Sequence, residues 1–269
     1  MQAYIVNYYC INAVGKKRRK NEDNFFAGRC YRTSDIRDDM FTMGSLFCHS
    51  NDILAVYDGM GGESCGEEAS LIAAENSLRF SSLFPNSNLS VSKIVVNFLR
   101  NLNDEICSFA SENLINCMGT TAALLAVTES KLIAANLGDS RIYRIRNGRI
   151  KRISIDHLAK APAKGKAPLS QFLGIPDDVF QICPAISELS YRNNDLFLIC
   201  SDGVTDMLSD DEIRNIIVTS KSIKEAADSI YSAAMENGGT DNITAIVCSV
   251  NELPDKKEKA HAFKRIGNI

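Results

Sequence analysis

Short acidic segments recur along the chain at Asn21-Glu22-Asp23, Asp58-Gly59-Met60-Gly61-Gly62, Ser201-Asp202-Gly203 and Thr240-Asp241-Asn242, each beside apolar, strand-like residues. Carboxylates at strand ends, with glycine beside them to let backbone approach closely, suit hard oxygen-seeking ions such as Mg²⁺ and Mn²⁺. The chemistry they suggest is metal-assisted work on a phosphate. Any one Asp-Gly pair is more often an ordinary turn. Turn formation does not explain why all the segments share this character.

A sheet must position such groups, and the sequence supplies one. Residues 3–14 alternate and are rich in Tyr, Ile and Val, and a second strand is expected from about Asn24. The run Ile53-Leu54-Ala55-Val56-Tyr57 reads as a buried strand delivering Asp58, and Leu196-Phe197-Leu198-Ile199-Cys200 as another ending at Ser201-Asp202-Gly203. Between Arg29 and Asn51 the pattern breaks into a polar, irregular connection.

Helices are expected from Gly66 to about Leu83 and from Ser90, as N-cap, to about Ile115, where Ile94, Val95, Phe98, Leu99 and Leu102 recur at helical spacing. Strands follow over 119–127, 131–137 and 140–145, and Asn147-Gly148 is a strong hairpin signal. Ser209-Asp210-Asp211-Glu212 and Ser222-Ile223-Lys224-Glu225 fit the capping box that starts a helix, Gly238 is placed to stop the second, and 243–250 closes the sheet. Runs of antiparallel strands interrupted by helix pairs predict an α+β fold of packed sheets with helices outside.

With 269 residues, 45% of them hydrophobic, the chain can bury the core of one large domain. That domain is expected over 1–253, followed by a frayed, lysine-rich tail over 254–269. A formal charge of -3 gives no overall attraction to nucleic acid or acidic membranes. The nine cysteines lie far apart without a CxxC pair, which favours reduced thiols and a cytoplasmic protein over a disulfide framework or zinc site. No stretch approaches the roughly 20 apolar residues of a membrane span, and the N-terminus lacks the features of a secretory signal.

The chain resembles the metal-dependent protein serine/threonine phosphatases of type 2C over nearly its whole length. The matching segments are Arg18-Arg19-Lys20-Asn21-Glu22-Asp23, Asp58-Gly59-Met60-Gly61-Gly62, Gly119-Thr120-Thr121, Asn136-Leu137-Gly138-Asp139-Ser140-Arg141, Ser201-Asp202-Gly203-Val204-Thr205-Asp206 and Gly239-Thr240-Asp241-Asn242, in the family's order. The Asp-Gly-Met-Gly-Gly form is similar to the bacterial branch.

The resemblance implies an antiparallel β-sandwich flanked by pairs of α-helices, with the site at one edge. It implies two Mn²⁺ or Mg²⁺ ions, bridged by Asp58, with the Gly59 carbonyl on one ion and Glu22, Asp23, Asp202 and Asp241 completing the shells. Two ions about 4 Å apart can share a water, lower its pKa and aim it in line at phosphorus. The implied reaction is hydrolysis of phosphoserine and phosphothreonine monoesters by direct attack of a metal-bridging hydroxide. Asp139 and Asp206 would join Asp202 around a third ion; a turn aspartate beside Gly138 and a helix-cap aspartate near Met207 are their plainer readings.

Arg18 is the residue expected to hold phosphate oxygens, because guanidinium presents a planar pair of donors. Arg19 is its register-shifted alternative, and a solvated basic loop or localisation patch over Lys16–Lys20 the plainer one. Partners are then phosphorylated proteins, an opposing serine/threonine kinase, no nucleic acid and no membrane, for a monomer acting in signalling.

Departures from the family matter. Many eukaryotic relatives carry a histidine after the Asp-Gly pair, where this chain has Met60, which cannot donate a proton; a metal-bound water is then the expected acid. His157 aligns with a family Asp-His pair near the substrate flap, or is a hydrogen-bonded structural histidine, while His49 and His261 lack supporting neighbours. The loop from Leu158 to Ser170 is short, with Lys160, Lys164 and Lys166 either facing an acidic phosphopeptide or solvated. The alternatives to a protein phosphatase are a regulatory module that binds phosphoproteins and a hydrolase of small phosphate esters.

Overall fold

The computed structural model describes residues 3–60, 65–83, 89–129, 131–160 and 166–253. Gly61, Gly62, Lys164, His261 and the tail over 254–269 lie outside the described residues.

The chain opens with β1 (Tyr4–Ala13), β2 (Asp23–Ala27), β3 (Met40–Phe47) and β4 (Asp52–Met60), then forms α1 (Gly66–Asn76) and α2 (Val91–Glu112). Strands β5 (Gly119–Thr120), β6 (Ala122–Val127), β7 (Leu132–Leu137), β8 (Arg141–Arg146) and β9 (Arg149–Arg152) follow, then β10 (Ala185–Leu189) and β11 (Asp195–Cys200). The short α3 (Asp202–Thr205), α4 (Asp210–Thr219), α5 (Ile223–Glu236) and β12 (Ile243–Glu252) complete the order.

The strands form two antiparallel sheets, ordered β3-β1-β12-β11-β8-β9 and β10-β7-β6-β4-β2, with β5 attached to β4. Successive side chains of a strand point to opposite faces, and here both faces are covered. Leu54 and Val56 of β4 point inward to meet Val6 and Cys10 of β1 and Ile246 of β12 between the sheets. Ile53, Ala55 and Tyr57 point outward against α1 and α2, through Ala73, Leu99 and Ile106. On the other outer face Ile11, Leu198 and Val247 meet Ile213 of α4 and Ile230 of α5. That double coverage is why the central strands read as continuous apolar runs rather than alternating ones.

Local signals act as expected. Ser90 Oγ accepts from Lys93 N at the start of α2. At α4, Ser209 Oγ accepts from Glu212 N while the Glu212 carboxylate accepts from Ser209 N at 2.8 Å, a full capping box. At α5 only half forms: Ser222 Oγ accepts from Glu225 N, but Glu225 reaches one residue further back, to Lys221 N. Asn147 and Gly148, both at positive φ, turn β8 into β9.

The stretch from Arg29 to Asn51 differs from expectation. It contains β3, which pairs antiparallel with β1 from Ile5↔Phe47 to Asn12↔Met40. As the outermost strand it bonds on one side only, and Phe41, Met43 and Phe47 lie exposed. Its burial alternates, with Met40 and Leu46 turned to the core between the sheets, but apolar residues stand on both faces, so the sequence shows no apolar–polar alternation.

Candidate metal centre

Strand ends bring the acidic segments together, and close backbone packing holds them there. Asp23 and Asp58 are direct partners across β2 and β4. Behind them Gly59 N donates to Glu22 O at 3.1 Å, and a Cβ on Gly59 would overlap the carbonyl oxygens of Glu22 and Gly66. Across the site Gly203 lies flush against Asn242, whose carbonyl oxygen a Cβ would overlap. These glycines let the starts of α1 and α3 sit on the neighbouring backbone, so Asp202 and Asp241 share one rim with Asp58.

Polar residues unassigned by the sequence reading brace this rim. Asn242 Oδ1 accepts from Glu22 N at 2.8 Å, and its Nδ2 donates to Val14 O and Lys20 O, both at 2.9 Å. Buried Asn12 donates to Thr244 Oγ1 at 2.8 Å and Asp23 O at 3.2 Å, and accepts from Asn21 and Arg32. Ser201 and Thr244 each give a hydroxyl to Asp23 Oδ2, at 2.6 and 2.7 Å. The only sequence signal for Asn12 is a polar residue within an apolar strand, Cys10-Ile11-Asn12-Ala13.

The electrostatics are those of a crowded set of carboxylates. Burial pushes the Asp23 carboxyl up to about 7, against the two hydroxyls that stabilise its charge, and Asp202 and Asp241 add to the rise. Asp58 keeps some opening to solvent, yet desolvation by the packed strand ends is the largest cause lifting it well above the carboxylate range, followed by Asp23, Asp202, Asp139 and Asp241. Burial likewise raises Glu22 and Asp139, with Arg18 and Lys166 respectively opposing.

Cations of the protein meet the rim at its two ends. Arg18, half-exposed, donates through Nη2 to Asp241 Oδ2 at 2.7 Å and lies 4.0 Å from Glu22. Arg19 instead lines a neighbouring cavity of about 300 Å³ with Arg37 and Glu68. Lys166 Nζ contacts Asp202 Oδ2, and reaches Asp206 Oδ2 at 3.2 Å and Asp139 Oδ2 at 3.3 Å.

Among the described residues, no three Asp, Glu, His or Cys side chains already close on a single point at metal-ligand spacing. Arg18 draws Asp241 to one side, Lys166 draws Asp202, Asp139 and Asp206 to the other, and Asp23 gives one oxygen to hydroxyls. The donor set still fits divalent ions: hard oxygens gathered at strand ends, raising one another's pKa values, are what such a cation relieves.

The histidines resolve simply. His157 donates its backbone N–H to Gly138 O at 3.0 Å and accepts from Gly138 N at Nδ1, at 3.3 Å; burial holds its pKa below the usual value. This matches the structural alternative. His49 stacks on Phe47. Met60 ends β4 opposite Gly119.

No disulfide joins cysteines among the described residues, and Cys10, Cys48, Cys200 and Cys248 are buried. No described helix is long and apolar enough to cross a membrane.

The serine/threonine phosphatase Stp of Listeria welshimeri is 28% identical over 256 residues, covering 88% of this chain and 93% of its own. The crystal structure of the Mycobacterium tuberculosis serine/threonine phosphatase PstP/Ppp superposes with a TM-score of 0.74 at 23% identity, covering 92% of this chain and 99% of that one. A PstP catalytic domain in complex with two manganese ions superposes with a TM-score of 0.72 at 23% identity, over 92% and 99%. The sequence profile of the Protein phosphatase 2C family matches residues 28–237, and with the sandwich and its carboxylate rim in place the chain belongs to that family and is a metal-dependent protein phosphatase.

Proposed function

We propose that this phosphatase removes phosphate from phosphoserine and phosphothreonine of proteins, using two Mn²⁺ or Mg²⁺ ions. The observation that carries the reading is the directly opposed Asp23–Asp58 pair, Asp23 buried and Asp58 partly open to solvent, with Asp202 and Asp241 on the same rim. The activity of the Stp and PstP relatives and the two manganese ions of the PstP domain support it.

In this reading Asp58 and the Gly59 carbonyl, with Glu22, Asp23, Asp202 and Asp241, would hold the ions, Asp58 as the shared ligand. The Ser201 and Thr244 hydroxyls both donate to Asp23 Oδ2, which fixes the carboxylate and leaves Oδ1 for an ion. Divalent ions held by these residues would supply charge for the phosphate and a water of lowered pKa. Arg18 sits at the open end of the rim, where its guanidinium can leave Asp241 for two phosphate oxygens. Asp139, Asp202 and Asp206 form a further cation position beside the two-ion core. Met60 offers no proton, and the leaving serine or threonine oxygen takes one from water.

The phosphatase domain is taken as 1–253, acting as a cytoplasmic monomer in signalling against a serine/threonine kinase. The test is phosphate release from a phosphothreonine peptide and from a small aryl phosphate, with Mn²⁺, with Mg²⁺ and with chelator, alongside Asp202→Ala. Metal-dependent release favouring the peptide and lost in the variant supports the reading. Folded protein that releases nothing would point to a phosphoprotein-binding module, and equal use of the aryl ester to a small-ester hydrolase.

A further inference from the structure

The carboxylates of Asp139, Asp202 and Asp206 come from the turn after β7 and the two ends of α3, and converge on one atom, Lys166 Nζ. An ammonium carries three protons directed apart; here it donates to Asp202 Oδ2 and Asp206 Oδ2 and forms an ion pair with Asp139 Oδ2 at 3.3 Å. Asp202 gives Oδ2 to the lysine, leaving Oδ1 for the core. Arg141, two residues after Asp139, is taken up by Asp156 at 2.8 Å.

The lysine is held on a short tether. Its loop is closed at the base by Ala159 N to Pro168 O at 2.8 Å and Ser170 N to His157 O at 2.9 Å, with a bridge between Leu158 and Leu169. The base is fastened in turn to Gly138, beside Asp139, by the His157 bonds already described. Lys166 therefore leaves the backbone close to a fixed anchor, and its ammonium meets the cluster at an effective concentration on the order of millimolar or more. A dissolved cation must compete with one that cannot diffuse away. Lys160, on the same loop, makes no ion pair among the described residues.

We infer that Lys166 is the resident cation of the Asp139–Asp202–Asp206 cluster: its ammonium takes the position that a third divalent ion would otherwise fill, and ties its own segment, residues 166–170, to the rim. This rests on reading the cluster as a cation position beside a two-ion core. The chain then operates with two exchangeable ions, and the cluster is neutralised by a charge of the protein instead of by metal supply.

Two measurements test this. In chelator-treated protein, acylation of lysines followed by mass spectrometry reports Lys166 directly; it should react at least tenfold more slowly than Lys160, with Asp206→Asn raising its rate. Calorimetric titration with Mn²⁺ should give two ions for the wild type and a third, weaker one for Lys166→Met, which keeps most of the stem. Acylation of Lys166 as fast as Lys160, or a Mn²⁺ stoichiometry unchanged by Lys166→Met, overturns the inference. A protected Lys166 in protein that binds no Mn²⁺ would overturn the two-ion reading and leave the lysine clasp standing.

Discussion

Asp23 and Asp58 face each other across adjacent antiparallel strands, paired residue for residue at the edge of the sandwich. Like charges so placed destabilise the fold that holds them, and this gives the metal-free protein a pH signature. Asp23 is raised from an unfolded value of about 3.9 to about 7 in the folded chain. Between those values the folded state holds a proton that the unfolded state has lost, so stability is full below about pH 4 and falls as pH rises toward 7. Melting in chelator should follow that fall for this group, and Mn²⁺ should flatten it at its upper end. A melting temperature in chelator that climbs across the whole window would remove the repulsion from the account.

Neutralising one member of the pair separates folding from function. Asp58→Asn should raise the melting temperature of the metal-free protein at pH 8, because a crowded charge is gone. Changes in groups that merely orient metal ligands cost about 10–100-fold in affinity, so loss of the shared ligand should cost at least roughly 100-fold, with activity falling alongside. Thermal shift with and without Mn²⁺ reads both effects, since an ion that binds only the folded state raises its melting point. Wild-type turnover by this variant would sink the two-ion model.

Gly203→Ala tests the packing of the rim without touching a carboxylate. The new methyl would overlap the Asn242 carbonyl oxygen, so α3 must back away and carry Asp202 from Asp241. Mn²⁺ affinity should fall by about 10–100-fold while far-UV circular dichroism is preserved. Unaltered affinity would show that the two segments move together.

Arg18→Ala should act on the phosphorylated substrate. A hydrogen bond to a charged group contributes about 1.5–3 kcal/mol, equivalent to about 10–100-fold in kcat/KM. The loss should appear mainly in KM for a phosphopeptide, with Mn²⁺ affinity not weakened. Arg19→Ala, on the neighbouring cavity, should change kcat/KM far less. Equal losses in the two variants would refute the register chosen here.

Much of the site was readable because apolar runs end at its aspartates. Ile53 to Tyr57 stops at Asp58, and Leu196 to Cys200 leads through Ser201 to Asp202, so strand periodicity and carboxylate position arrive together in the sequence. The braces were not readable. Asn12 meets Thr244, and Asn242 meets Lys20, through contacts between remote parts of the chain that no local pattern encodes.

β3 escapes the sequence reading because its exposed row, Phe41, Met43 and Phe47, is as apolar as its inward one, so hydrophobicity does not alternate although burial does. The Lys166 contacts were missed for a related reason. A lysine between Gly165 and Ala167 reads as solvated, and its destination depends on His157 fastening the loop to Gly138.

The placement of β12 has a consequence for how the molecule is made. It lies between β1 and β11, in register with β1 from Tyr4↔Glu252 to Ala13↔Ile243. On the ribosome, β1 meets β3 early but waits for β12 until Ile243 and the residues after it have been made, and Asp23 waits with it for the Thr244 hydroxyl. Pairings this distant in sequence slow folding. A nascent chain ending before Ile243 carries Glu22, Asp58, Asp202 and Asp241 but lacks β12 and the Thr244 hydroxyl on Asp23, so phosphatase activity is expected only once that strand is inserted.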